Sequence, residues 1–113
     1  MAESETDAAL GLGDRRMRRW AAFVRAGVTV PRIVRATREL IEEKQTAGTW
    51  SRDYDRHLLA AEIAGRLLDD QQLAAKLKAE AGDGWEDFFT QLIAFIEAVL
   101  PIVLQLLQIF AVI

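Results

Sequence analysis

The chain has 113 residues and contains no cysteine, one histidine and two prolines. Without cysteine there is no disulfide framework, no thiolate nucleophile and no cysteine-based zinc site. His57 is the sole histidine, and only Ser4 and Ser51 offer a serine hydroxyl, so no pairing of a nucleophile with a base is evident. A metal site would need several converging histidines or carboxylates, and no such group is evident. We therefore expect a protein that is not an enzyme and that binds no cofactor or metal.

Charge is present in both signs but is separated along the chain. Residues 1–13 hold three acids, residues 14–38 hold eight arginines against Asp14, and residues 39–113 hold thirteen acids against six bases. A basic segment of this kind suits anionic lipid headgroups or nucleic acid, and it can equally pair with the acidic half of its own chain or of a neighbouring copy. The predicted basic face consists of Arg15, Arg16, Arg18, Arg19, Arg25, Arg32, Arg35 and Arg38.

No internal repeat and no linker rich in proline, glycine or serine divides the sequence, so a single domain is expected. Glycines punctuate it into predicted helices at 14–26, 31–46, 52–81 and 85–113. The third is either one bent helix or two, because Asp69-Asp70-Gln71-Gln72 has the pattern of a second helix start. The prediction is an all-α protein of three to four helices, with a flexible acidic tail over 1–13, an Arg-rich amphipathic region over 14–83 and a hydrophobic helix over 84–113.

Two apolar stripes at helical spacing predict core faces in the Arg-rich region. The first is Met17, Trp20, Ala21 and Val24. The second runs from Ile33 to Ile41 on a helix that starts at Pro31. In this second helix the arginines lie near the N-terminal end and the glutamates near the C-terminal end, against the helix macrodipole. We therefore expect these charges to have partners elsewhere in the protein.

The last helix carries the strongest hydrophobic signal in the chain. Asp83 and Glu86 have the spacing of a capping box, and from Phe88 onward the only charged residue is Glu97. Polar and small residues recur every three or four positions and form one narrow stripe, whereas most other positions are aliphatic or aromatic. Pro101 cannot donate a hydrogen bond to the carbonyl of Glu97, so we expect a kink there.

This helix is long enough to span a hydrocarbon core of about 30 Å, which takes roughly 20 residues. Its aliphatic side chains favour insertion, but Glu97, Pro101 and the glutamines oppose it, so insertion is expected to depend on self-association. The alternative is a central rod in a soluble helical bundle that needs partner chains to cover it. The residues predicted to form this membrane or oligomer helix are Phe88, Leu92, Phe95, Ile96, Glu97, Pro101, Gln105 and Gln108.

The sequence thus predicts a small non-enzymatic helical protein that self-associates through its hydrophobic C-terminal helix. The preferred interpretation is a membrane-anchored structural or pore-like component with a cytoplasmic N-terminus, because the first residues are acidic where a secretory signal would be basic and then apolar. One alternative is a cytoplasmic, soluble, oligomeric scaffold or adaptor. Another is a nucleic-acid-associated protein whose arginines contact the backbone. The expected partners are a second copy, membrane lipid or another protein.

Overall fold

The computed structural model describes residues 14–110, with side chains from Arg18 onward. The predicted tail over 1–13, residues 111–113 of the predicted last helix and the side chains of Arg15, Arg16 and Met17 lie outside the described part. Over this range the chain forms five helices and no strand, so the all-α class is confirmed and the number of three to four helices is wrong. The helices are α1 (Asp14–Ala26), α2 (Val30–Ala47), α3 (Arg56–Leu67), α4 (Gln71–Ala81) and α5 (Trp85–Ile109).

The additional helix arises at the second start signal within residues 52–81. The Asp70 carboxylate accepts hydrogen bonds from the backbone N–H groups of Gln72 and Leu73, which caps α4 and separates it from α3. The predicted start of the third helix at residue 52 is also wrong. Asp55 caps α3, with the Leu58 N–H donating to its Oδ1 at 2.8 Å, so residues 49–55 form a connection.

The predicted core face of α1 is wrong at Ala21 and Val24. Among the side chains of this helix described from Arg18 onward, Ala22, Phe23 and Ala26 are buried, whereas Ala21 is exposed and Val24 is 50% exposed. The side of the helix that contains Phe23 faces the interior, because the Phe23 ring has more apolar surface to bury than Val24. The two side chains lie about a third of a helical turn apart, so burying one exposes the other. The side of α1 that carries Ala21 and Val24 therefore faces outward. Trp20 lies at the border between the two faces and is half-buried.

The predicted core face of α2 is largely confirmed. Ile33, Thr37, Leu40 and Ile41 are buried, and Val34 is half-buried. Thr37 is buried without penalty because its hydroxyl donates to the carbonyl of Ile33 at 2.7 Å. The helix begins at Val30 after an N-cap at Thr29 and ends at Gly48, whose φ of 74° is the left-handed conformation that favours glycine.

α5 is the helix on which the others pack. It lies along α3 and α2, and α1 and α4 contact it further toward its N-terminal end. It has 25 residues, which corresponds to about 37 Å, and it continues through Pro101. The kink at this proline remains a prediction. The buried residues of α5 are Phe88, Leu92, Phe95, Ile96, Leu100, Val103, Leu104 and Leu107.

The predicted capping box of α5 is absent. The helix starts after Gly84, and no side chain accepts a hydrogen bond from its first turn. Asp83 therefore does not cap the helix as predicted. Glu86 and Asp87 nevertheless lie in the first turn, where negative charge is favourable next to the positive end of the helix dipole.

Aromatic contacts hold α1 against α5. The Phe23 ring meets the Phe88 ring edge to face, with centroids 4.9 Å apart, and Trp20 meets Phe95 in the same way at 5.2 Å. The following turn is tight, because α1 ends at Ala26 and α2 begins at Val30. Gly27 occupies this turn with a φ of 116°, and a Cβ there would lie 3.3 Å from Leu73 Cδ1. A side chain at this position would thus be strained by both its backbone and its neighbour.

Asp70, which caps α4, and Asp83, which precedes α5 without capping it, should differ in their contribution to stability. Asp70→Ala removes both the cap of α4 and the ion pair with Arg32, and it should lower the free energy of unfolding the most. Asp70→Asn keeps the capping oxygen and loses only the exposed ion pair with Arg32, so it should cost less than Asp70→Ala. Asp83→Ala should change the free energy by less than about 0.5 kcal/mol. Urea unfolding of the three variants provides the measurement, and an equal loss for Asp83→Ala would restore the predicted capping box.

Candidate interaction surfaces

A polar network joins the end of α2 to α3. The Lys44 Nζ donates to Glu62 Oε2 at 2.8 Å, and the Tyr54 hydroxyl donates to Glu62 Oε1 at 2.6 Å. The Lys44 ammonium also lies 4.6 Å from the centroid of the Tyr54 ring. Trp50 stacks on Tyr54 with centroids 5.7 Å apart, so two aromatic residues of the α2–α3 connection pack together beside Lys44 and Glu62.

The electrostatics of this network suit a structural role. The hydrogen bond to Glu62 raises the pKa of Lys44 above its ordinary value, which keeps the amine protonated and a poor nucleophile. Burial opposes ionisation of Glu62, but hydrogen bonds from Lys44 and Tyr54 outweigh it, and the pKa of Glu62 is lowered. The three groups therefore stabilise one another as a charged, hydrogen-bonded clamp. Sequence reasoning missed this clamp because its members are 18 and 8 residues apart in the chain.

Ion pairs also connect the ends of α2 to other helices. Arg32, near the N-terminal end, donates to Asp70 Oδ2 at 3.2 Å. At the C-terminal end Arg66 of α3 binds both carboxylate oxygens of Glu43 and lies 3.5 Å from Glu39. These contacts confirm for Arg32 and Glu43 the expectation that charges opposing the macrodipole of α2 have partners elsewhere. The expectation is wrong for Glu42, which pairs with Arg38 within α2.

The structure divides the predicted basic residues between α1 and α2. Arg19 is half-buried, lies 3.8 Å from Asp87 and covers the Phe88 ring. Arg38 pairs with Glu42 within α2. Within the described part, no ion-pair partner contacts Arg25 or Arg35. The acidic half of the chain thus neutralises only some of the arginines.

Arg32 and Arg35 line a shallow surface pocket of about 360 Å³ between α2 and the start of α4. Its floor is apolar, formed in part by Leu67 and Leu73, and its rim is charged in both signs. Because Asp70 and Glu39 lie on the same rim, the pocket is no concentrated anion site. Over residues 14–110 no group of three histidine, aspartate or glutamate side chains is arranged to hold a metal ion.

The polar stripe of α5 lies on the side of the helix away from the core. Thr90, Ala94, Ala98 and the predicted residues Pro101, Gln105 and Gln108 are exposed, and Glu97 is half-exposed. The other four predicted residues of this helix, Phe88, Leu92, Phe95 and Ile96, lie in the interior of the chain itself. One helix thus presents a core side and a polar side.

Between these two sides runs an apolar strip that the sequence analysis did not single out. We define the α5 edge as Val99, Ile102, Leu106 and Ile109. Ile102 is 59% exposed and Ile109 is 69% exposed, whereas Val99 and Leu106 are partly covered. The edge continues the line of Phe88, Leu92 and Phe95 at alternating spacings of four and three residues, a repeat that the sequence already contained.

His57 meets Glu97 on the surface at the junction of α3 and α5. The distance from His57 Nδ1 to Glu97 Oε2 is 3.0 Å, and this hydrogen bond raises the pKa of His57 above its ordinary value. Asp55 adds a smaller effect of the same sign. Both side chains are substantially exposed, and the open surface around them is shared with Arg52, Asp53 and Arg56. The pair therefore acts as a solvated ion pair at acidic pH.

Comparison with known proteins provides no further constraint. No family model, no curated protein and no solved structure matches this chain. The function must therefore be inferred from the surfaces themselves.

The contact between His57 and Glu97 predicts a pH-dependent contribution to stability. Because folding raises the pKa of His57, the contribution should be complete below the unfolded pKa of about 6.5 and should be lost as pH rises through the folded pKa. His57→Gln should therefore reduce the free energy of unfolding more at mildly acidic pH than at mildly alkaline pH. Urea unfolding across this range measures the difference. A loss that is the same at all pH values would exclude the ion pair, and Glu97→Gln should reproduce the pattern if the pair is its source.

Proposed function

We propose that this chain is a non-enzymatic helical module that self-associates through the α5 edge. The observation that supports the proposal is the exposure of Ile102 and Ile109 on a strip that continues the core-facing line of the same helix. In the N-terminal half of α5 this line is covered by Phe23 and Trp20 of α1. In the C-terminal half Ile102 and Ile109 of the edge remain exposed to solvent.

The spacing of the edge favours a second copy of the chain as the partner. Alternation of three and four residues keeps apolar side chains on one seam between two helices. A two-fold axis through such a seam would place the edge of one copy against the edge of the other, so that one surface supplies both sides of the contact. The residues next to the edge on its polar side include Ala98, Gln105 and Gln108, and none of these is charged. Association through the edge should therefore depend little on salt.

The size of the edge predicts a weak dimer. Four side chains per copy bury less than the roughly 1,200 Å² that marks the lower end of specific interfaces. A concentration-dependent equilibrium between monomer and dimer is therefore expected. Such an equilibrium suits a scaffold or adaptor whose assembly responds to local concentration.

A membrane-spanning role for α5 is the second candidate. α5 is long and apolar enough to cross a membrane, with a mean hydropathy of 2.2 over its best window, although the core helix of a soluble protein meets the same test. Insertion would remove Leu92, Ile96 and Leu100 from the core that they form with the other helices. The bundle and the span are thus alternative states of the same helix, and the bundle accounts for the polar stripe facing water.

Replacing Ile102 and Ile109 by glutamine should weaken self-association and leave the fold intact, because both side chains are already exposed. Loss of two isoleucines from each side of a dimer should raise the dissociation constant about a hundredfold or more. Sedimentation velocity over a range of protein concentrations measures this change. Leu58→Gln is the matched control, since Leu58 is 49% exposed on a different helix and should not affect association.

A second pair of variants distinguishes the edge from the polar stripe. Gln105→Leu with Gln108→Leu should not weaken dimerisation and should lower solubility, because the two leucines widen the apolar patch beside the edge. A changed stoichiometry would instead place the polar stripe in the contact. If the full chain resists alkaline extraction from membranes and is insoluble without detergent, then α5 spans the bilayer and the proposal of a soluble module is wrong.

A further inference from the structure

Exposed apolar and cationic side chains flank the turn between α1 and α2. We define the corner surface as Val24, Arg25, Val30, Pro31 and Arg35. Val24 is 50% exposed and Val30 is 46% exposed, although both are large aliphatic residues in a small helical protein. Arg25 lies in the last turn of α1, next to Val24. Arg35 follows Pro31 by four residues, so both lie on one side of α2, where they are exposed at the rim of the pocket described above.

The charges of the corner surface are available for a partner. From residue 15 to residue 38 the chain contains no aspartate or glutamate. Within residues 18–110, Asp70 pairs with Arg32 and Asp87 with Arg19, but no acid pairs with Arg25 or Arg35. Glu39 and Asp70 lie near Arg35 on the rim of the pocket beside α2, but neither forms an ion pair with it among the described residues. Arg25 and Arg35 are therefore cations that an external anion can pair with on a protein of net negative charge.

The geometry points to an anionic lipid surface as the partner that the corner surface binds, and we propose this docking role. Val24 and Val30 are the feature that decides between partners. In the headgroup region of a bilayer they would leave water, while the arginines reach the lipid phosphates with their apolar stems along the same boundary. A nucleic-acid backbone offers phosphates but provides no apolar layer for two exposed valines.

The tight turn makes this surface rigid. Phe23 and Val28 beside it are fully buried, and the Val28 N–H donates to the Phe23 carbonyl at 2.9 Å. The exposed valines are thus held outward by a turn whose inner side chains belong to the core. Docking would then require no ordering of the corner itself, which favours binding by a small surface.

Vesicle flotation with the full chain tests the docking role. Vesicles of phosphatidylglycerol and phosphatidylcholine in equal parts should bind the protein, and vesicles of phosphatidylcholine alone should not. Arg25→Gln with Arg35→Gln should weaken binding by roughly five- to thirtyfold at low salt, given the usual contribution of a cation near an anionic membrane. Arg52→Gln, an exposed arginine outside the corner, is the control for charge and should reduce binding by less than about twofold.

A separate variant tests the contribution of the two valines of the corner surface. Val24→Ser with Val30→Ser retains every charge and should weaken vesicle binding several-fold, whereas Leu58→Ser should not. The same serine variant should leave any binding to duplex DNA unchanged. Strong DNA binding with no vesicle binding would overturn the proposal in favour of a nucleic-acid partner, and equal loss in the control variants would overturn the assignment to the corner.

Two further outcomes separate this proposal from the properties of α5. Binding to neutral vesicles that the arginine variant does not affect would show insertion of α5 and would contradict corner docking. Conversely, Ile102→Gln with Ile109→Gln should retain vesicle binding at protein concentrations where the wild type is also monomeric. If that variant fails to bind anionic vesicles, docking depends on the α5 edge and the corner proposal is wrong. A thermal unfolding curve for each variant confirms that the fold is retained.

Discussion

Burial of one side of α5 is the interaction on which the rest of the structure depends. α2 and α3 each contribute an apolar face, and both faces contact the same long helix. α1 is attached to it through Phe23 and Trp20. At about 25 cal/mol per Å² of buried apolar surface, these contacts are the main favourable term in a domain of this size. Polar contacts such as the Lys44–Glu62–Tyr54 network then fix how α2 and α3 lie on this framework.

The composition of α5 suggests a membrane helix because the helix is apolar on more than its core side. The helix has only one charged residue after its first turn, Glu97, and this residue meets His57 at the surface. Its core side is filled by its own chain, its polar stripe faces outward, and only the α5 edge combines apolar character with exposure. The mean hydropathy of the helix averages over these three sides, whereas in the structure each side has a different environment. On this helix, therefore, only the α5 edge and not the whole surface needs a partner to cover it.

The sequence predicted those features that depend on local rules. The all-α class, the break at Asp70 and the core face of α2 follow from helix caps and from apolar periodicity over a few turns. The core face of α1 could not be predicted in the same way, because two apolar stripes share this helix and the choice between them was made by the distant rings of Phe88 and Phe95. The predicted capping box of α5 is absent because a suitable spacing of Asp83 and Glu86 allows the hydrogen bond but does not require it. The exposure of Val24 and Ile102, on which both proposed surfaces rest, depends on which helices cover them, and this information is tertiary.

The order of the helices along the chain has a consequence for synthesis. α5 follows the four helices that it holds together, so the ribosome releases Phe23, Ile33 and Leu59 long before the helix that will bury them. Until then the apolar faces of α1, α2 and α3 have only one another to contact, and such surfaces are typical binding sites for chaperones on nascent chains. Assembly of the first helices into this core should therefore wait until α5 has left the ribosome. A premature stop within α5 would leave a chain whose helical segments retain their caps but lack the surface that assembles them.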